Sequence, residues 1–383
     1  MQASHVILTL YVTLFILVDD FAEGVEVKTV KFIALGLVLF GAVLFFNREA
    51  ITLKLMEKTI DKNLTSNLLS SLPDGLHVYL CGAGSPMMDV KRSGPCTAVM
   101  AGNRVFIVDT GSSASKVLQQ GRVPQANIEA VFLTHFHSDH IDGLGELIMQ
   151  RWANGAHTTP LAVIAPKGVE QVVAGFNQAY AQDDAYRIAH HTAKIMPPTG
   201  SNAAAQGFEL PESGQSKRVY EQDGLVVTAF KVEHEPVSPA VGYKFEYRGR
   251  SVVISGDTVK STNIAKFAAG VDVLLHEALS KELVLLINQR AKAAGRANIA
   301  KITHDILDYH ASPVDAAQTA QQAKVGHLVL HHIVPPLPIS TLESIFVKGV
   351  SEAYSGDFTL GKDGTFISLP AESKEIKVQE LIW

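Results

Sequence analysis

Cysteine is nearly absent from this chain, with only Cys81 and Cys96 in 383 residues. Neither stands in a CxxC pair, which argues against a thiolate metal site. The two could pair in an oxidising compartment or lie apart as small buried hydrophobes, and the sequence leaves both open. An excess of positive charge is also missing. Lys and Arg number 33 against 38 Asp and Glu, a formal net charge of −5. That balance gives no electrostatic footprint for nucleic acid. The glycine-rich stretch Gly82–Pro86 lacks the spacing and acidic partner of a dinucleotide fingerprint. No internal repeat divides the chain.

Long hydrophobic runs are confined to the N-terminus. Val6–Val18 is too short to span a bilayer comfortably. Phe32–Phe46, stretching to Val30 if Lys31 snorkels, lies near the lower limit of about 17–20 residues. The first run lacks the basic start and small-residue cleavage site of a secretion signal. The expectation is an uncleaved membrane anchor within residues 1–46, of one or two spans, with a buried globular helix as the other reading. Lys28 and Lys31 lie between the runs, and Arg48, Lys54 and Lys58 follow the second. Only basic residues weigh heavily on orientation, so the protein is expected at a membrane, the bacterial inner membrane being our reading, with the side of the catalytic domain undecided. Residues 47–75 read as an amphipathic helical connector ending at Pro73–Gly75, residues 76–370 as the main domain and 371–383 as a tail.

What is abundant is a run of imidazole and carboxylate at Thr134–Gly143, THFHSDHIDG. His135, His137 and His140 stand beside Asp139 and Asp142. Such a cluster is costly unless cations hold it together, and imidazole with carboxylate is the donor set of a hydrolytic zinc site. Ala130–Thr134 reads as a buried strand feeding the loop, and Leu144, Leu147 and Ile148 have helical spacing. Strands and helices alternate afterwards, as in α/β proteins. Leu161–Ala165 reads as a strand, Val169–Ala181 as a helix and Pro197–Ser216 as the least ordered part of the domain. Asp142 is expected to cap the following helix rather than to bind metal.

THFHSDH resembles the His-x-His-x-Asp-His signature of the metallo-β-lactamase superfamily. Leu80–Pro86, Gly94–Ala98, Val108–Gly111, Ser255–Thr258, Leu275–Ala278 and His310–Pro313 extend the resemblance over about residues 76–370, towards the ribonuclease Z and zinc arylsulfatase branch. It implies a four-layer αβ/βα sandwich, two zinc ions per chain and hydrolytic chemistry. Carried over residue by residue, His135, His137 and His234 would hold one zinc, Asp139, His140 and His332 the other, and Asp257 would bridge them. Strand alternation says only that His331 and His332 point oppositely; the resemblance selects His332. Asp139 would orient the attacking water and accept its proton. His310, just before a helix opened by Ser312 and Pro313, would be the acid for the leaving group, with Glu277 and His276 supporting it.

The resemblance departs at roughly 166–220, where ribonuclease Z carries a Gly/Pro-rich basic arm for tRNA and this chain has mixed helical segments of little basic charge. The expected substrate is therefore a small anionic ester, a phosphodiester, phosphonate or sulfate ester. Nucleic acid is disfavoured, and tRNA 3′-processing is the runner-up activity. A glutathione-thioester or lactone hydrolase is a third, predicting a more apolar pocket. A non-catalytic metal-binding sensor on the same scaffold is the competing class, and a homodimer is left open.

Overall fold

The computed structural model describes residues 27–382 and divides at Ser66 into two compact units. In the first, α1 (Val27–Phe46) and α2 (Arg48–Thr65) meet at a bend of 65°. Most of α1 from Phe32 onward is exposed apolar side chain, including Phe32, Leu37 and Phe46. No single described helix is long and apolar enough to cross a membrane, although the bent pair passes on length and composition. The apolar run 6–18 lies outside the described residues.

The second unit holds two sheets. Its strands in chain order are β1 (Gly75–Gly82), β2 (Cys96–Ala101), β3 (Arg104–Val108), β4 (Ile128–Phe132), β5 (Leu161–Pro166), β6 (Ala203–Phe208), β7 (Ser216–Gln222), β8 (Leu225–Lys231), β9 (Val241–Tyr247), β10 (Arg250–Ile254), β11 (Val273–Leu279), β12 (His327–Val334), β13 (Asp357–Leu360), β14 (Thr365–Pro370) and β15 (Lys377–Glu380). One sheet has the order β15-β14-β1-β2-β3-β4-β5-β6, the other β13-β12-β11-β10-β9-β8-β7. Both centre on parallel strands, β3 to β6 in the first and β10 to β13 in the second. Strands covered on both faces need apolar residues at nearly every position, and β11 and β12 are buried along their whole length.

Three apolar clusters fix the layering. Phe106, Phe132, Tyr243, Phe245, Leu275 and Val329 fill the space between the sheets. The outer face of the first sheet packs against α3 (Ala114–Gln120), α5 (Leu144–Gly155) and α6 (Val169–His191), reached through the single turn α4 (Ser138–Ile141). The second sheet is covered by α7 (Thr262–Phe267), α8 (Lys281–Ala293), α10 (Pro313–Ala323), α11 (Ser340–Phe346) and α12 (Val350–Ala353), with α9 (Ala297–Asp305) paired to α8. The result is the expected four-layer αβ/βα sandwich.

Several local expectations change. The helix from Val169 runs to His191 rather than to Ala181. The stretch taken as least ordered contains β6, an edge strand whose backbone pairs with β5 in register from Leu161↔Ala203 to Pro166↔Phe208. Its Ala-Ala-Ala-Gln-Gly sequence has little strand propensity, so the order comes from pairing rather than from side chains. The final residues form β15 on β14. Gly143, not Asp142, occupies the N-cap of α5. Cys81 and Cys96 are joined in a disulfide between β1 and β2, both fully buried.

Candidate metal centre

The site forms where strands end. His135 and His137 follow β4, His234 follows β8, Asp257 follows β10 and His332 lies near the end of β12. In an open α/β sheet, such carboxyl ends form the crevice in which ligands bind. His137 caps the short helix α4, which turns Asp139 and His140 inward, both buried. Gly111, in the loop after β3, lies so close to this turn that a Cβ there would stand 2.6 Å from the Asp139 carbonyl oxygen.

Asp257 is the hub. Its Oδ2 lies 3.8 Å from His135 Nε2, 3.4 Å from His140 Nε2, 3.8 Å from His234 Nε2 and 3.3 Å from His332 Nε2. Asp139 Oδ2 is 3.6 Å from His140 Nε2 and 3.4 Å from His332 Nε2. Two donor groups result, His135–His137–His234–Asp257 and Asp139–His140–His332, with the donor atoms of each within 4.8 Å of one another. These are the two sets that the resemblance implied, brought together by residues spread over nearly 200 positions.

The arrangement fits cations better than any internal pairing. Buried polar atoms are normally hydrogen-bonded. Yet His140 Nε2, His234 Nε2, His332 Nε2, Asp139 Oδ2 and Asp257 Oδ1 are buried without such a partner. Two of these imidazoles, His140 and His234, are aimed by their other nitrogen, as metal-binding histidines are. His140 Nδ1 donates to Asp109 Oδ2 at 2.8 Å, and His234 Nδ1 donates to the Tyr309 carbonyl at 3.0 Å. Burial pulls His135 well below the ordinary imidazole range, abetted by His140. For His140 the penalty of burial is outweighed by Asp257, Asp109 and Asp139, which hold it well above that range.

His332 reaches the site through a β-bulge. The β11–β12 register passes from Glu277↔His331 to Ala278↔Ile333, so His332 is the extra residue. Its φ of +47° places a non-glycine residue in the left-handed region. His331 points away, and both its ring nitrogens are buried without a partner. Burial first, then His332, pushes its pKa down to about 3 from 6.5. The unfolded chain therefore protonates first as pH falls, and stability that is complete above about 6.5 is lost towards about 3. His331→Leu is expected to flatten this loss in pH-dependent denaturant melts while leaving bound metal unchanged; a loss of metal would mean that the wrong histidine has been assigned.

Asp109 was not singled out from the sequence beyond its place in the Val108–Gly111 stretch of the resemblance. Its Oδ1 accepts from the Thr134 backbone N–H at 2.8 Å, and its Oδ2 accepts from the Thr134 hydroxyl and from His140 Nδ1, both at 2.8 Å. One carboxylate thus locks the histidine loop to β3. An Asp directly after a buried strand, in the turn Asp-Thr-Gly, was the available signal. Asp109→Asn is expected to weaken metal affinity roughly 10–100-fold, measured by chelator competition, with the fold retained.

Glu277 and His310 lie beside the ligands. Glu277 is fully buried, and its Oε1 accepts from Thr258 N at 3.2 Å, Ala311 N at 2.9 Å and His310 Nδ1 at 3.2 Å. It ties the Asp257 loop to the His310 loop. Ser312 caps α10 in a capping box with Asp315, with Pro313 at the first turn, as the sequence indicated. His310 also falls within 4.8 Å of donors on Asp257 and His332. His276 is buried behind the site with its Nδ1 2.8 Å from the Glu277 carbonyl oxygen. Asp142 is exposed and outside both donor groups, and His190 and His191 meet edge to face at the exposed end of α6.

A cavity of about 500 Å³ opens over these groups, lined at its base by His137, Asp139, Asp257, His310 and His332. The layered fold, the strand-end crevice and this donor set define a metallohydrolase architecture. Comparison with known proteins makes the assignment specific. The Metallo-beta-lactamase superfamily profile matches residues 90–297. A ribonuclease Z of Mycolicibacterium paratuberculosis is 35% identical over 300 residues, which is 78% of this chain and 100% of the relative. One from Mycobacterium bovis is 36% identical over 75% of this chain and 96% of its own length. Human tRNase Z, short form, superposes with a TM-score of 0.53 at 20% identity, covering 77% of this chain and 99% of that one. The metallo-beta-lactamase fold protein YhfI from Bacillus subtilis gives 0.54 at 19% identity over 76% and 99%. The chain belongs to the metallo-beta-lactamase superfamily.

Proposed function

We propose that this protein is a zinc-dependent phosphodiesterase. The observation that carries the reading is the convergence of the two buried donor groups on Asp257, with His310 held at their edge. A zinc pair bound there would supply an acidified water and neutralise charge on the phosphoryl oxygens. The chain's own residues do the rest. Asp139, in contact range of His140 and His332, orients the attacking water and accepts its proton. Glu277 holds His310 Nδ1, so that Nε2 is free to donate a proton to the departing oxygen, and the carboxylate steadies the charged ring before transfer.

Between substrates, the relatives' name speaks for RNA, against the small ester expected from the sequence, and a 3′-extended tRNA precursor is the first macromolecular substrate to offer. The small-ester reading keeps one observation in its favour. The residues lining the cavity include no Lys or Arg, whereas a groove for nucleic acid tracks phosphates with basic side chains. Metal-loaded protein is to be assayed on bis-p-nitrophenyl phosphate, p-nitrophenyl sulfate and a tRNA precursor. Turnover of the phosphodiester or the RNA supports the reading. Inactivity on both, with two zinc ions bound, would leave a metal-binding protein without this chemistry. Membrane attachment through Phe32–Phe46 is our reading of its exposed apolar surface; sedimentation of the full chain with vesicles, lost when residues 1–46 are removed, tests it.

A further inference from the structure

The mouth of the catalytic cavity has an unusual wall. Helix α9 presents three kinds of surface. Ala300 and Thr303 are buried towards α8, where Asn288 Nδ2 donates to the Ala300 carbonyl and, at 3.1 Å, to Thr303 Oγ1. Lys301 and Asp305 form an ion pair on the exposed side. The remaining stripe, Ile299, Ile302 and Ile306 at helical spacing, faces the cavity that holds Asp139, Asp257 and His310. A surface helix ordinarily buries its apolar stripe in the core. Here Ile302 is 60% exposed and Ile299 38% exposed.

Pro86, Met87 and Val334 add further apolar lining to the same cavity. Met87 and Ile306 pack on the buried cluster of Leu279, Val284 and Val334, so the base of this wall is part of the core. The chain runs from the end of α9 directly into Tyr309, whose carbonyl aims His234, and His310. The apolar stripe therefore lines the same cavity as the candidate metal ligands.

We propose that Ile299 and Ile302 of α9 and Ile306 just after it, with Met87 and Val334 in the same cavity lining, form a subsite for an apolar alkyl or aryl group carried by the substrate next to its scissile phosphodiester. The proposal rests on the phosphodiesterase reading and names the substrate class within it: a small amphiphilic ester, anionic at the metals and apolar at the mouth. Ligand pockets commonly combine such apolar walls with a few polar groups at the base. The subsite acts by removing apolar surface from water, so selectivity should grow with each methylene.

The test uses zinc-loaded full-length protein and p-nitrophenyl phosphodiesters whose second ester is methyl, butyl or hexyl. For the unaltered chain, kcat/KM is expected to rise roughly two- to fourfold per added methylene. In the Ile299→Ser, Ile302→Ser double variant the dependence on length should flatten, with zinc content unchanged. Lys301→Ala, on the solvent face of the same helix, should keep the full slope. A flat series in the unaltered chain, or a slope that survives the double variant, overturns the subsite. If no phosphodiester is turned over, the phosphodiesterase reading fails by itself, and calorimetric binding of methyl- and hexylphosphonate reads the wall independently. Tighter binding of hexylphosphonate, abolished in the double variant, keeps the subsite; equal affinities remove it.

Discussion

Asp257→Ala is expected to lower bound zinc from two ions per chain to one or fewer and to take hydrolysis below detection. The effect is large because the other ligands are arranged around this carboxylate. Its Oδ2 lies between 3.3 and 3.8 Å from imidazole nitrogens of His135, His140, His234 and His332. The two neighbouring aspartates are committed elsewhere: Asp139 lies beside His140 and His332, and Asp109 is engaged by Thr134 and His140. The fold itself should survive, since Thr258 N still donates to Glu277 and Ser255 N to the Leu275 carbonyl. Elemental analysis beside circular dichroism checks both halves. Full zinc content in a folded variant would show that Asp257 does not bridge.

His310→Ala is expected to keep both metal ions and to slow kcat by roughly 10²–10⁴. The penalty should be greatest for an alkoxide leaving group and least for p-nitrophenolate, which departs without a proton. That contrast separates an acid from a bystander. His310 also lies within coordinating distance of Asp257 and His332, so loss of zinc in this variant would make it a ligand instead. Unchanged turnover with both leaving groups would remove it from the mechanism. Glu277→Gln should move kcat in the same direction by a smaller factor, since the ring stays placed but its charged form loses a carboxylate partner.

Much of this site was legible because its signals are local. THFHSDH carries donor types and spacing in one segment, and the strand-end positions of His234 and Asp257 follow from apolar runs that stop at polar residues. The choice between His331 and His332 was different. Alternation along β12 could say that they face apart, but the bulge that turns His332 inward arises from pairing with β11, which no pattern within β12 announces. Asp109 escaped notice because it acts through Thr134 and His140, partners 25 and 31 residues away. The order of β6 likewise comes from its neighbour. The stripe is written plainly in the sequence as Ile299, Ile302 and Ile306, yet only the folded chain shows that Ile299 and Ile302 face a cavity.

The bulge at His332 also sets stability against activity at one residue. A left-handed backbone at +47° costs a β-carbon-bearing side chain about 1–2 kcal/mol relative to glycine. Metal-free protein carries that penalty with nothing in return, and a cation held by the imidazole would offset it. Selection for thermal tolerance alone would therefore favour glycine at position 332 and discard a ligand, whereas selection for turnover would hold histidine there against the backbone's preference.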